Sequence, residues 1–132
     1  MSYTVTKNIR DYLVASSAVT TYVSASNIRV GWPDVPDSFP CIIIEQAGGE
    51  DYGHLGYNTS SVGSRVRRET SIIQIDIYST TSRKEILDIA DAIVPVMISG
   101  GCRKTSDIDT YNDDLEAHRK IQTYMLYHVH DD

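Results

Sequence analysis

Two histidines one residue apart, His128 and His130, followed by Asp131 and Asp132, come closest in this sequence to a metal-binding constellation. Residues two apart on a strand share a face, so both imidazoles could reach one ion. A working site also needs supporting groups around the ligands, and linear spacing identifies none beside this pair. The pair also lies at the end of the sequence, where strands fray, so no bound metal and no cofactor are expected. His54 and His118 stand alone and read as surface residues.

The other reactive residue types do not assemble a catalytic set either. Cys41 and Cys102 are far apart in sequence and have no histidine close by; they read as small buried hydrophobes with no disulfide between them. There is no Gly-x-Ser-x-Gly elbow and no phosphate loop ending in Gly-Lys-Ser/Thr. Gly48-Gly49 follows a strand pattern, but no helix opens after it, as a dinucleotide site requires. The carboxylate pairs Asp88 with Asp91 and Asp113 with Asp114 fall on solvated helix or loop faces. The expectation is a protein that is not an enzyme.

The elements that carry these residues are more legible. Ile73, Ile75 and Ile77 alternate with Gln74, Asp76 and Tyr78, the two-residue period of a strand with one buried face. Ser82 and Glu85 have the spacing of a capping box, in which each side chain satisfies an amide at the helix start. Ile86, Ile89, Ala90, Ile93 and Met97 then recur at three and four residues, the apolar stripe of a helix. Pro95 predicts a kink or an end to this helix, and Gly100-Gly101 closes it.

Upstream, residues 6–15 read as a first helix capped by Thr4 or Thr6, with Val5, Ile9, Tyr12 and Leu13 on one side. A short second turn follows Ser16-Ser17, with Val19, Tyr22 and Val23 facing inward. Residues 27–30 read as a brief strand. Residues 31–40 hold Pro33, Pro36 and Pro40 and form a stiff connector. Residues 41–46 are an unbroken apolar strand, which implies burial on both faces.

Residues 48–64 form a long polar loop containing Gly48, Gly49, Gly53, Gly56 and Gly63. Two readings stand: a mobile hairpin tip, or a segment whose Tyr52, Leu55 and Tyr57 order against a partner. Residues 65–79 make one strand about 50 Å long, so its first third projects beyond the main sheet. That part carries Arg65, Arg67 and Arg68, either solvated edge charges or partners for acids on a neighbouring subunit. Residues 102–116 are polar, with a short strand around Ile108. Residues 116–130 alternate strongly: Ile121, Thr123, Met125, Tyr127 and Val129 share one face, and Gln122, Tyr124, Leu126 and His128 the other.

The chain has 132 residues, 41% of them hydrophobic and 23% charged, which suits one domain with its own core. Its net charge of −6, with 18 acidic against 12 basic residues, argues against tight sequence-independent DNA binding. No apolar run is long enough to span a bilayer, and the first residues lack the segments of a signal peptide. Synthesis in the cytoplasm, with no membrane partner, is expected.

The order of these elements resembles the tail terminator (tail completion) proteins of long-tailed, siphovirus-like phages and related head-tailed viruses. The matching pieces are Asn27-Ile28-Arg29-Val30-Gly31-Trp32-Pro33, Phe39-Pro40-Cys41-Ile42-Ile43-Ile44, Gln74-Ile75-Asp76-Ile77-Tyr78-Ser79 with the helix over 88–92, and His118-Arg119-Lys120-Ile121-Gln122-Thr123-Tyr124. Pro95 and the length of the 48–64 loop depart from the family pattern. The resemblance implies a virion structural protein, assembled six to a ring at the head-proximal end of the tail tube. Such a ring stops tube polymerisation and offers a joining surface to head-completion proteins, while DNA passes through the lumen without specific binding.

The fold expected is α+β: a mostly antiparallel four- to five-stranded sheet, two main helices packed on one face, and a long protruding hairpin. Tyr52, Leu55, Tyr57, Arg65, Arg67 and Arg68 are the candidate contacts to a subunit or the tail tube. The made protein would leave the host cytoplasm as part of the virion tail or neck. A head–tail connector, a tail-tube subunit, or a small metal-binding protein or enzyme using His128 and His130 are the alternatives.

Overall fold

The switch from strand to helix near residue 80 organises the molecule. In the computed structural model, which describes residues 2–31, 38–51 and 66–131, strand β3 (Val66–Ser79) turns directly into helix α3 (Arg83–Ser99). The Ser82 hydroxyl accepts the Glu85 amide at 3.1 Å, so half of the expected capping box is present. The other half is replaced: the Glu85 carboxylate accepts from the Ser79 hydroxyl at 2.6 Å, tying the helix start to the strand that feeds it.

Before this pair come α1 (Ser2–Ala15), the single turn α2 (Ser17–Thr20), a 3-10 turn over Ala25–Asn27, β1 (Ile28–Val30) and β2 (Cys41–Asp51). After it come β4 (Cys102–Asn112) and β5 (Ala117–Asp131). The five strands form one sheet in the order β1-β2-β3-β5-β4. The β1–β2 pairing is parallel and the other three are antiparallel, so the α+β sheet is mixed, with the antiparallel share dominant.

All three helices contribute to one core on one sheet face. Ile9 and Leu13 from α1, Val19 from α2, and Ile86, Ile89, Ala90, Ile93 and Met97 from α3 bury against Ile42, Ile44, Ile73, Ile75, Ile77 and Tyr124. Burial of each such side chain contributes about 1.5–3 kcal/mol. A smaller second core, Cys41, Ile43, Tyr78 and Ala117 with Phe39 and Leu115, sits on the other face. The apolar run of β2 is thus buried on both sides, with even residues in the first core and odd residues in the second. Cys41 and Cys102 are both buried, one in each core, as their reading as small hydrophobes requires.

Several local expectations are corrected. α1 begins at Ser2, four residues before position 6; Val5, Ile9 and Leu13 face the core as expected, joined by Thr6, while Tyr12 is half exposed. Tyr22 also faces outward. α3 does not end at Pro95: it continues to Ser99, because Pro95 and the Asp91 carbonyl it crowds lie on the exposed face, where water can take up the lost bond. Helix α3 stops at Gly100-Gly101, as its sequence predicts, where Gly101 adopts φ +90°. Residues 102–112 form a full edge strand in place of a short one around Ile108. β2 runs past Gly48 and Gly49 to Asp51 through a bulge after Gln46, so the first residues of the expected loop belong to the sheet.

The sheet outruns its cover. α3 has 17 residues, about 25 Å, and spans roughly eight residues of β3 back from Ser79. β4 starts where α3 ends, with Cys102 opposite Leu126 and Leu126 opposite Ser71. Beyond that level β3 (66–70) stays paired with β5 (127–131), while β2 adds only Glu50 and Asp51, opposite Thr70 and Glu69. The described part of the projecting arm is therefore chiefly a β3–β5 pair, with β2 alongside only at its base.

Candidate functional site

Register places the expected contact residues unequally. Arg67 and Arg68 lie in the arm, opposite His130 and Val129 respectively. Tyr52, Leu55, Tyr57 and Arg65 lie outside the described residues. Glu50, Asp51, Glu69 and Asp131 belong to the same strands as these arginines.

The face opposite the helices holds the site that spacing did not reveal. Ladder register sets four residues side by side across it: Ile43, Asp76, Ile121 and Ile108. The neighbouring rows are Cys41-Tyr78-Arg119-Thr110 and Glu45-Gln74-Thr123-Ser106. Asp76 is only 1% exposed, although its place in the alternation marks it as polar surface. Its carboxylate accepts from Arg119 Nη2 at 3.0 Å and from Gln74 Nε2 at 3.1 Å. The Arg119 guanidinium also lies 5.6 Å over the Tyr78 ring, a cation–π placement. Burial, and then the charge of Asp76, raise the Glu45 carboxyl above its ordinary value. Ile43 in the middle of an apolar run was the available signal: a strand buried on both faces needs its neighbour Asp76 to be covered too.

On the helix face of β5 the polar residues go inward. Lys120, Gln122 and Tyr124 are buried, and the Tyr124 hydroxyl donates to Gln122 Oε1 at 2.8 Å. Lys120 Nζ meets Asp107 Oδ1 at 2.8 Å and Asp109 Oδ1 at 2.9 Å. Lys104 also pairs with Asp107, and Arg83 of α3 with Asp109. Burial alone would lower the Lys120 ammonium, but its bonds to the two aspartates outweigh that and hold it above its ordinary value. Burial likewise works against Asp107, and the lysine hydrogen bonds still hold it low; Asp109 is held low chiefly by Lys120. This lattice fastens the charged edge strand β4 to β5 and α3.

Two open grooves lie among the described residues. One, about 490 Å³, lies between the ends of α1 and α3 and is lined by Tyr12, Ala15, Ser16, Val96, Ser99 and Gly100. The other, about 340 Å³, lies between the start of α3 and the β4–β5 turn, where Tyr111 meets His118 edge to face and Asp109 already serves Lys120 and Arg83. Among the described residues no three metal-ligating side chains gather, and no helix is long and apolar enough to cross a membrane. Among the described residues, Tyr12, Tyr22, Leu87, Ile98, Ile108 and Tyr111 are the large apolar side chains left exposed.

No family model matches the chain, and no curated protein matches it. Among solved structures it is similar to a chain of the virion of a native gene transfer agent (GTA) particle, with a TM-score of 0.62. The likeness covers 89% of this chain and 88% of that one at 8% sequence identity. At that identity the two share a fold.

Proposed function

We propose that this chain is a structural protein of a head-tailed virion, forming a ring at the head-proximal end of the tail tube. The ring terminates tail polymerisation and presents the surface to which the head-completion protein joins. The observation that carries this reading is the fold shared, over nearly the full length of both chains, with a chain of an assembled virion. It agrees with the family resemblance read from the sequence, whose pieces fall on β1, β2, β3, α3 and β5.

The physics suits the role. A ring needs one surface patch that meets a different patch on the next copy and closes. The arm and the helix-free sheet face are two such patches on one protomer. A net charge of −6 lets DNA pass through the lumen without adhering. The role is mechanical, with no catalysis, and its partners are further copies, the tail tube and the head-completion protein.

Two measurements test it. The purified chain should assemble into a closed oligomer, most simply a hexamer, by mass in solution, and particles made without it should carry overlong tails. Tails of normal length in its absence would defeat the termination role. Stacks of many identical rings would identify a tail-tube subunit in its place.

A further inference from the structure

Helix α3 carries a second apolar stripe, on the side turned away from the core. Leu87, Val94, Pro95 and Ile98 are grouped around Asp91 at helical spacing, and Leu87 and Ile98 are exposed. The inner stripe from Ile86 to Met97 already seats the helix on the sheet, so the outer one serves no contact in that core. Asp91 is exposed, and its side chain meets no cation or hydrogen-bond donor among the described residues. Pro95 also leaves the Asp91 carbonyl without its helical amide, so residue 91 presents two kinds of unmet acceptor.

The opposite side of the protomer has the complementary chemistry. On the helix-free face, register sets Ile72 beside Met125 and Met125 beside Arg103. The row of Asp76, Ile121 and Ile108 lies about 13 Å further along the strands. Ile72 and Ile121 are half-buried and Ile108 is exposed, on the face that none of the described helices covers. Arg103 is exposed too, and its guanidinium makes no ion pair or hydrogen bond among the described residues. Arg83, Lys84, Lys104, Arg119 and Lys120, by contrast, each hold an aspartate.

A lone acid in an apolar stripe and a free guanidinium beside exposed isoleucines are matching halves. Their lengths agree: Leu87 to Ile98 covers about 17 Å of helix, against the 13 Å or so of open strand. Helix on sheet is also the packing this chain uses inside the protomer. The two patches lie on opposite sides of a two-layer domain. Each copy can therefore offer one patch to either neighbour, as a closed head-to-tail ring requires.

We propose that the outer stripe of α3 packs on the helix-free sheet face of the next copy, with Asp91 paired to Arg103 of that copy. The proposal rests on the ring reading and names the two surfaces that close the ring.

The test is sedimentation of the full chain over a concentration series, with single and paired charge reversals. Asp91→Arg and Arg103→Asp should each weaken assembly at least about tenfold, because each sets like charges together at every junction. The chain carrying both reversals should regain assembly, since every junction then holds the same pair with its signs exchanged. Ile98→Asp should weaken assembly as the single reversals do. All three positions are exposed, so circular dichroism and the thermal midpoint of the protomer should be unchanged. Full assembly of either single reversal, or no recovery in the paired variant, would overturn this interface and leave the ring itself standing. So would an equal loss in Asp114→Arg, a reversal on the β4–β5 turn. An unaltered chain that stays monomeric would overturn both the interface and the ring.

Discussion

Arg119 lies directly across the ladder from Tyr78, yet its guanidinium reaches diagonally to Asp76, with Nη2 3.0 Å from Oδ2. The two partners are not equally covered: the Asp76 side chain is 1% exposed and that of Arg119 25%. Removing either one leaves the other in a different situation. Without Asp76, the arginine can turn towards water. Without Arg119, a carboxylate stays buried with Gln74 as its remaining donor among the described contacts.

Arg119→Ala should therefore cost more stability, about 3–5 kcal/mol, than Asp76→Ala, at about 1–3 kcal/mol. Denaturant unfolding of both variants and of the double variant measures the difference. Equal costs, or the reverse order, would show that burial of Asp76 is not what the pair resolves.

Glu45 faces the same acid across the sheet, and its raised value means that folding disfavours the ionised form. The sign follows: stability is higher when Glu45 is protonated and falls as pH rises through 4.5 towards the folded value. Glu45→Gln should raise the urea midpoint at pH 7, by under about 1 kcal/mol, and have no effect well below pH 4. A lowered midpoint at neutral pH would reverse this assignment.

The edge lattice titrates the other way. Asp107 and Asp109 are held below 3.8, so their contribution is complete above that value and is lost as pH falls through the lower folded values. Each is partly exposed, which limits the effect to about 1 kcal/mol or less per aspartate. The variant Asp107→Asn, Asp109→Asn should show a shallower loss of stability between pH 4 and pH 2, followed by urea midpoints. An identical acid limb would detach these residues from β4's hold on the sheet.

Assembly gives a separate prediction. Tyr52→Ala and Tyr57→Ala should each weaken ring formation by about 1 kcal/mol or more, while thermal unfolding of the protomer is unchanged. Sedimentation across a concentration series reads the first, and calorimetry the second. Full assembly of the double variant would remove these tyrosines from the interface.

What could be read without coordinates follows from what alternates. Isoleucines at 73, 75 and 77 and the stripe from Ile86 to Met97 announce the β3–α3 unit, because burial against one face leaves a period in the sequence. β4 has no such period. It is an edge strand held by Lys104, Lys120 and Arg83 through Asp107 and Asp109, and ion pairs between distant segments leave no local trace. β5 shows its alternation but conceals its direction, since the face that goes under the helices bears Lys120, Gln122 and Tyr124. The glycines at 48 and 49 mark a loop by type and belong to a strand by pairing. For the helix-free face, adjacency across strands sets Ile43, Asp76, Ile121 and Ile108 in one row, although they are far apart in the chain.

The ending of α3 and β4 at one level, that of Ser71, gives β3 two mechanical regimes. From Ser71 to Ser79 it is clamped by helices and flanked on both sides; from Val66 to Thr70 it is a cantilever fixed at one end. Load applied along it is thus borne as bending of a β3–β5 ribbon, joined by β2 only at Glu69 and Thr70, and reaches the isoleucine core only at its root. Amide exchange should fall into two tiers along this one strand, fast before Ser71 and slow after it, so that the outer segment can be reshaped against a neighbour while the body keeps its form.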